Sequence, residues 1–118
     1  MTAETAPETG VATDEPVHVG GADELDDLVA EYDVVVADFY ADWCGPCRAL
    51  EPMVERLAAE TDAVVAKVDV DAHQGLAMEY GVRGVPTLVY FAGGEQADRT
   101  VGVPAESTLQ STVEEYTE

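Results

Sequence analysis

A chain of 118 residues, 47% of them hydrophobic, is long enough for one domain with its own core and no need of staples. Twenty-five acidic residues against five basic ones give a net charge of −20. That balance excludes nucleic acid as a partner, because phosphates would be repelled. No apolar run approaches the ~18 residues a membrane span requires, so no membrane association is expected either.

The acids lie in every segment of the chain, and Lys67 is the sole lysine. Two readings of this surface are open. In a very salty cytoplasm the Debye length falls to roughly 3 Å at 1 M salt and self-repulsion is screened. Alternatively, the acidic surface suits basic partners. Lysine depletion along the whole chain favours the first. Met1 to Pro16 has no basic start and no apolar stretch, so it is not expected to be a secretory signal. Its Thr, Ala, Glu and Pro content reads as a disordered acidic tail, residues 1–16, leaving 17–118 as one domain. Two cysteines and no export signal suggest a reducing cytoplasm, where a thiol pair is more often catalytic than structural.

In chain order, Val17-His18-Val19 reads as a short edge strand ended by Gly20-Gly21. Ala22 to Tyr32 carries Leu25, Leu28 and Val29 at the spacing of one helical face. Val34 to Tyr40 is a nearly continuous apolar run, as in a strand buried on both faces. Cys44 to Thr61 repeats the helical spacing through Leu50, Met53, Val54, Leu57 and Ala58. Pro46 is tolerated in its first turn, and Pro52 is expected to kink it. Ala63 to Val70 reads as a second core strand, and His73 to Tyr80 as a short helix ended by Gly81. Pro86 to Ala92 and Glu95 to Gly102 read as strands joined by a Gly93-Gly94 hairpin. Ala105 to Tyr116 closes the chain as a helix with Leu109, Val113 and Tyr116 inward. This order predicts an α/β fold, a mixed sheet with helices on both faces.

The chemistry concentrates at Trp43-Cys44-Gly45-Pro46-Cys47, which holds both cysteines of the chain. With a helix starting near Gly45, Cys44 and Cys47 become i,i+3 neighbours with Cβ atoms roughly 5–6 Å apart, a small adjustment from disulfide geometry. Helix N-terminal amides favour negative charge on Cys44, which makes it the candidate attacking thiolate, at an exposed position. Two other uses of the pair compete. A structural disulfide closing so short a loop gains only about 2 kcal/mol, against about 4.7 for a 100-residue loop. A zinc site needs about four ligands, and there is no second Cys-x-x-Cys and no ligand-like spacing between His18 and His73. No metal is expected.

Three residues around the pair each allow two readings. Asp38 is an acid inside an apolar strand, six residues before Cys44. It is either the base that ionises a buried Cys47 or an exposed strand-end carboxylate. Lys67, mid-strand in Val64-Val65-Ala66-Lys67-Val68, is either a buried partner of an acid or a side chain snorkelling from the sheet edge. Trp43 is either a contact surface beside the thiol or core.

The segment from Asp38 to Arg48, the segment Tyr80-Gly81-Val82-Arg83-Gly84-Val85-Pro86-Thr87-Leu88 and the pair Val101-Gly102 resemble the three signatures of the thioredoxin family. The resemblance runs from about Val17 to Tyr116. It implies a five-stranded sheet flanked by four helices and dithiol reduction of protein disulfides. It also implies a buried Asp38 with Lys67 as its neighbour on the next strand. The Val85–Pro86 bond would be cis, against the ordinary trans proline. Trp43, Gly84, Val85 and Gly102 would then line a shallow groove in which the Val85 backbone pairs with an extended substrate segment. Gly45-Pro46 puts no charged side chain between the thiols, which favours electron donation over oxidation. An oxidase or isomerase, or a redox-inert binding subunit on the same fold, is disfavoured by Gly45-Pro46 and by the intact Cys44, Cys47, Asp38 and Pro86. The expected partners are thioredoxin reductase and client proteins with disulfides, for a monomer with no bound cofactor beyond its own Cys44–Cys47 pair. Tyr40 and Arg48 depart from the commonest family pattern, where tryptophan and lysine stand, and bear on partner preference more than on chemistry.

Overall fold

The computed structural model describes residues 14–117. Most of the expected tail therefore lies outside the described residues. The elements are β1 (Val17–His18), α1 (Ala22–Glu31), β2 (Val34–Tyr40), α2 (Gly45–Glu60), β3 (Val64–Asp69), α3 (Gln74–Glu79), β4 (Thr87–Ala92), β5 (Glu95–Val101) and α4 (Glu106–Thr117). Their order is the one the sequence predicts, with ends displaced by a residue or two. They form one five-stranded sheet in the order β1-β3-β2-β4-β5. β1, β2 and β3 are parallel, while β4 runs antiparallel to both β2 and β5.

Side-chain alternation along β2 explains why the sheet needs cover on both faces. Val35, Ala37 and Phe39 join Leu25 and Leu28 of α1 and Leu76 and Ala77 of α3 in one core. Val34 and Val36 join Leu50, Val54, Leu57 and Ala58 of α2 and Leu109 and Val113 of α4 in the other. Asp38 and Tyr40 continue that second register, so the strand that fills the core also delivers a carboxyl and a phenol to the α2 face. By the same alternation Lys67 follows Val65 onto that face.

Local chemistry fixes the helix ends. Glu24, in the first turn of α1, accepts the Gly20 amide at 2.6 Å and places its charge at the positive end of the helix. α2 begins with Cys44 as its N-cap and Pro46 in its first turn, and its span continues through Pro52. It ends at Thr61, whose hydroxyl donates to the Leu57 carbonyl and accepts the Ala63 amide. The β4–β5 hairpin turns on Gly93 (φ 63°) and Gly94 (φ 88°). Positive φ at both central residues is what a two-residue turn matching strand twist demands, and most residues other than Gly, Asn and Asp resist it.

Parallel β2 and β3 bring their C-terminal ends to one edge, where Tyr40 faces Asp69 and the Val70 amide donates to the Tyr40 carbonyl at 2.9 Å. Antiparallel β4 starts at that same edge, with Thr87 opposite Phe39. The segment before α2 and the segment before β4 therefore converge although some forty residues separate them in sequence.

Candidate active site

β2 ends at Tyr40, and Ala41-Asp42-Trp43 turns the chain into α2. The Cys44 amide donates to the Ala41 carbonyl at 3.2 Å, and an Arg48 guanidinium nitrogen donates to the Asp42 carbonyl at 2.9 Å. Arg48 thus holds the turn from inside the helix. Cys44 and Cys47 are joined as a disulfide with Cα atoms 5.3 Å apart. The Cys47 amide, an otherwise unpaired donor of the first helical turn, donates to the Cys44 sulfur at 3.2 Å. When the bond is reduced, that amide and the helix dipole favour the thiolate form of Cys44.

The expectation of an exposed Cys44 is corrected. It is 4% exposed and Cys47 is 6% exposed, so exposure does not tell the two apart. Tyr40, Val70 and Val85 pack against the cluster of Ala41, Cys44 and Cys47. What distinguishes Cys44 is its capping position, whose sulfur receives the helix amide.

Asp38 is 2% exposed, which removes the strand-end reading, and Lys67 is 3% exposed, which removes the snorkelling one. The two are register partners across β2 and β3. Burial pushes the Asp38 carboxyl from 3.8 up to about 7; the Lys67 ammonium opposes this and the Glu51 carboxylate adds to it. The expected Asp38–Lys67 pairing is corrected in detail. The Lys67 ammonium makes its ion pair with Glu51 of α2 and lies 4.3 Å from the centre of the Tyr40 ring. Among the described residues, Asp38 Oδ1 has no hydrogen-bond partner. The geometry follows from helix spacing, since Glu51 stands four residues after Cys47 and shares its face of α2. Sequence reading passed over Glu51. The available signal was an acid beside Leu50 and Val54 on the buried stripe of the helix.

The Val85–Pro86 bond is cis, as the family resemblance implies. Trp43 is 67% exposed and lines a depression of about 140 Å³ with Val70, Val82, Arg83, Gly84 and Val85. Trp43, Gly84 and Val85 are thus brought together as expected. Gly102 is not part of that lining; its amide donates to the Pro86 carbonyl at 2.9 Å, with φ of 89°. The contact ties the end of β5 to the proline segment. Sequence reading also missed Asp71, whose carboxylate accepts the Trp43 indole N–H at 2.9 Å and orients the ring. Gly45 and Pro46 form the first turn of α2 beside the sulfurs. Among the described residues no cluster of His, Cys, Asp and Glu is suited to a metal ion, and no helix is long and apolar enough to cross a membrane.

A one-turn disulfide capping a helix at the edge of a mixed sheet, on this fold, defines a thiol–disulfide oxidoreductase. The family model described as Thioredoxin matches residues 16–115. Thioredoxin of Porphyra purpurea is 43% identical over 84 residues, 70% of this chain and 78% of that one. The solved structure of a point mutant of thioredoxin from Halobacterium salinarum NRC-1 superposes with a TM-score of 0.89 at 60% identity, covering 92% of this chain and 96% of that one. That of Fasciola hepatica thioredoxin gives 0.79 at 38% identity over 85% and 98%. The chain belongs to the thioredoxin family, and it is a redox-active protein-disulfide reductase.

Proposed function

We propose that the protein is a cytoplasmic electron carrier that takes two electrons from a thioredoxin reductase and gives them to client protein disulfides through Cys44 and Cys47. The carrying observation is the Cys44 sulfur, which caps α2 and accepts the Cys47 amide. In the reduced protein the Cys44 thiolate attacks one sulfur of a client disulfide. A mixed disulfide forms, and the client's other sulfur leaves as a thiolate. Asp38 then accepts the Cys47 proton. The Cys47 thiolate attacks Cys44, the Cys44–Cys47 bond forms, and the client's second sulfur leaves. The client gains two electrons and the protein's dithiol loses them.

The buried carboxyl suits the base role because its affinity for a proton is raised toward neutral pH. Trp43, Gly84 and Val85 line the docking groove, the adjoining Pro86 and Gly102, joined by the Gly102 amide and the Pro86 carbonyl, complete it, and the Val85 backbone pairs with the client segment. Gly45 and Pro46 leave the approach to the sulfurs free of charge. The protein works as a monomer, with residues 17–118 as its domain. A salty cytoplasm is its setting, supported by the charge of −20 and by the similarity to the Halobacterium salinarum protein.

Insulin reduction driven by dithiothreitol tests this reading. Catalytic amounts of the protein should speed precipitation of the insulin chains well above the rate with dithiothreitol alone. A rate equal to that background would mark a redox-inert module on the same fold.

A further inference from the structure

Opposite charges buried on adjacent strands ordinarily pair, because an uncompensated buried charge is costly. Asp38 and Lys67 meet that description and do not pair in this way. Lys67 sends its ammonium to Glu51, whose side chain is 42% exposed, while Asp38 Oδ1 finds no partner among the described residues. The exposure of Glu51 matters, since a half-solvated carboxylate anchors a cation at lower desolvation cost than the buried Asp38 can. The Tyr40 ring, 4.3 Å from the ammonium, supports Lys67 along the same path. Glu51 is also one turn beyond Cys47 on the same face of α2, so the device sits next to the thiol it affects.

We propose that Glu51 is a positioning residue that holds the Lys67 ammonium off Asp38 and so leaves the Asp38 carboxyl an unpaired base for Cys47. The proposal rests on the reading of Asp38 as the base of the resolving step. A carboxylate paired with a nearby cation has its pKa lowered by about 1–3 units and is a correspondingly weaker base. By engaging Lys67, Glu51 prevents that pairing, and its own negative charge further disfavours ionisation of Asp38. Among the described residues, the charged and titratable groups that act on Asp38 are Lys67 of β3, Glu51 of α2 and Tyr40 of β2 itself, while its register partner on β4 is the apolar Leu88. The step is the one already balanced: the Cys47 proton passes to Asp38, the Cys44–Cys47 bond forms, and the Cys44–client bond breaks.

A chromogenic aromatic disulfide separates the two steps in a single turnover of the reduced protein. The first equivalent of aryl thiolate reports attack by Cys44, and the second reports resolution by Cys47. In Glu51→Gln, Lys67 is free to pair with Asp38. The midpoint of the pH profile of the second phase should fall by about one pH unit or more, and its high-pH plateau should drop several-fold, while the first phase keeps its profile. The 13C shift of the Asp38 carboxyl, titrated in the same variant, should move its midpoint in the same direction. Lys67→Met should move both midpoints upward. Asp38→Asn should remove the midpoint from the second phase altogether. An unchanged second-phase midpoint in Glu51→Gln, with Asp38→Asn behaving as expected, would overturn the role of Glu51 and leave the base reading standing. A second phase in Asp38→Asn that keeps the wild-type midpoint would instead overturn the base reading and the proposal with it.

Discussion

Asp38→Asn is expected to raise folding stability above pH 7 by on the order of 4 kcal/mol relative to its effect near pH 4, because the folded carboxyl titrates at about 7 instead of 3.8. The cause is burial of a group with an unpartnered oxygen, opposed only in part by Lys67. Below about pH 3.8 the carboxyl is protonated in both folded and unfolded chains and carries no penalty. As pH rises from there to about 7, the unfolded chain releases its proton while the folded chain keeps it, and Asp38's contribution to stability is progressively lost. The amide is never charged, so the variant escapes this loss. It still buries a polar group, which offsets part of the absolute gain by about 1–3 kcal/mol at every pH. The difference between the two proteins as a function of pH is therefore the clean quantity. Urea unfolding of the oxidised wild type and variant, from about pH 4 to about pH 8.5, measures it. A difference that is flat with pH would show that Asp38 ionises normally in the fold.

Salt should act on the whole surface in the same protein. Stability is expected to rise by several kcal/mol between about 0.1 M and about 3 M KCl, seen as an increase in Tm of about 10 °C or more. The basic groups do little to neutralise the acids. Arg56 pairs with Glu106 and Lys67 with Glu51, but Arg48 spends a guanidinium donor on the Asp42 carbonyl, and Arg99 holds the Tyr80 and Gly81 carbonyls. At about 0.1 M the Debye length is about 10 Å, and carboxylates repel across the surface. At molar salt it is about 3 Å or less, shorter than the spacing between most of them. The dithiol and its buried neighbours are screened much less, so activity lost at low salt should follow unfolding and not precede it. Parallel melts and disulfide-reduction assays across the KCl series check both parts. A Tm that does not change would remove the saline reading and leave the acidic surface to be explained by basic partners.

Most of the architecture was legible because its signals are local. The apolar run Val34–Tyr40 has the length and β-branched content of a strand covered on both sides, and the stripe Leu50-Val54-Leu57-Ala58 has the spacing of one face of a helix. The two-glycine hairpin and the proline in the first turn of α2 follow from backbone sterics. The Cys44–Cys47 pairing was legible for the same reason, since three residues of helix set its span. The parts that were misjudged depend on contacts distant in sequence. Cys44 belongs to a buried cluster packed by Val70 and Val85, from the segments after β3 and before β4, and helix position alone cannot report that packing. Lys67 chooses Glu51, sixteen residues away on α2, over its register partner Asp38, and strand alternation gives no sign of the choice. The Trp43–Asp71 bond spans twenty-eight residues and is made where β2 and β3 end together. Gly102, which the resemblance puts at the groove, donates its amide to the Pro86 carbonyl, a contact between the end of β5 and the proline segment that neither stretch of sequence announces.

The most direct test of the central claim, that Cys44 attacks and Cys47 resolves, is mass spectrometry of two single-cysteine variants mixed with a disulfide-bonded client protein. Cys47→Ser should accumulate a covalent client adduct at Cys44 that persists until a thiol reductant is added, because the attacking sulfur is present and the resolving one is gone. Cys44→Ser should accumulate little or none over the same time, since Cys47 lacks the helix amide that favours the thiolate at Cys44. An adduct that forms at Cys47 as fast as at Cys44, or that forms at neither, would contradict the account.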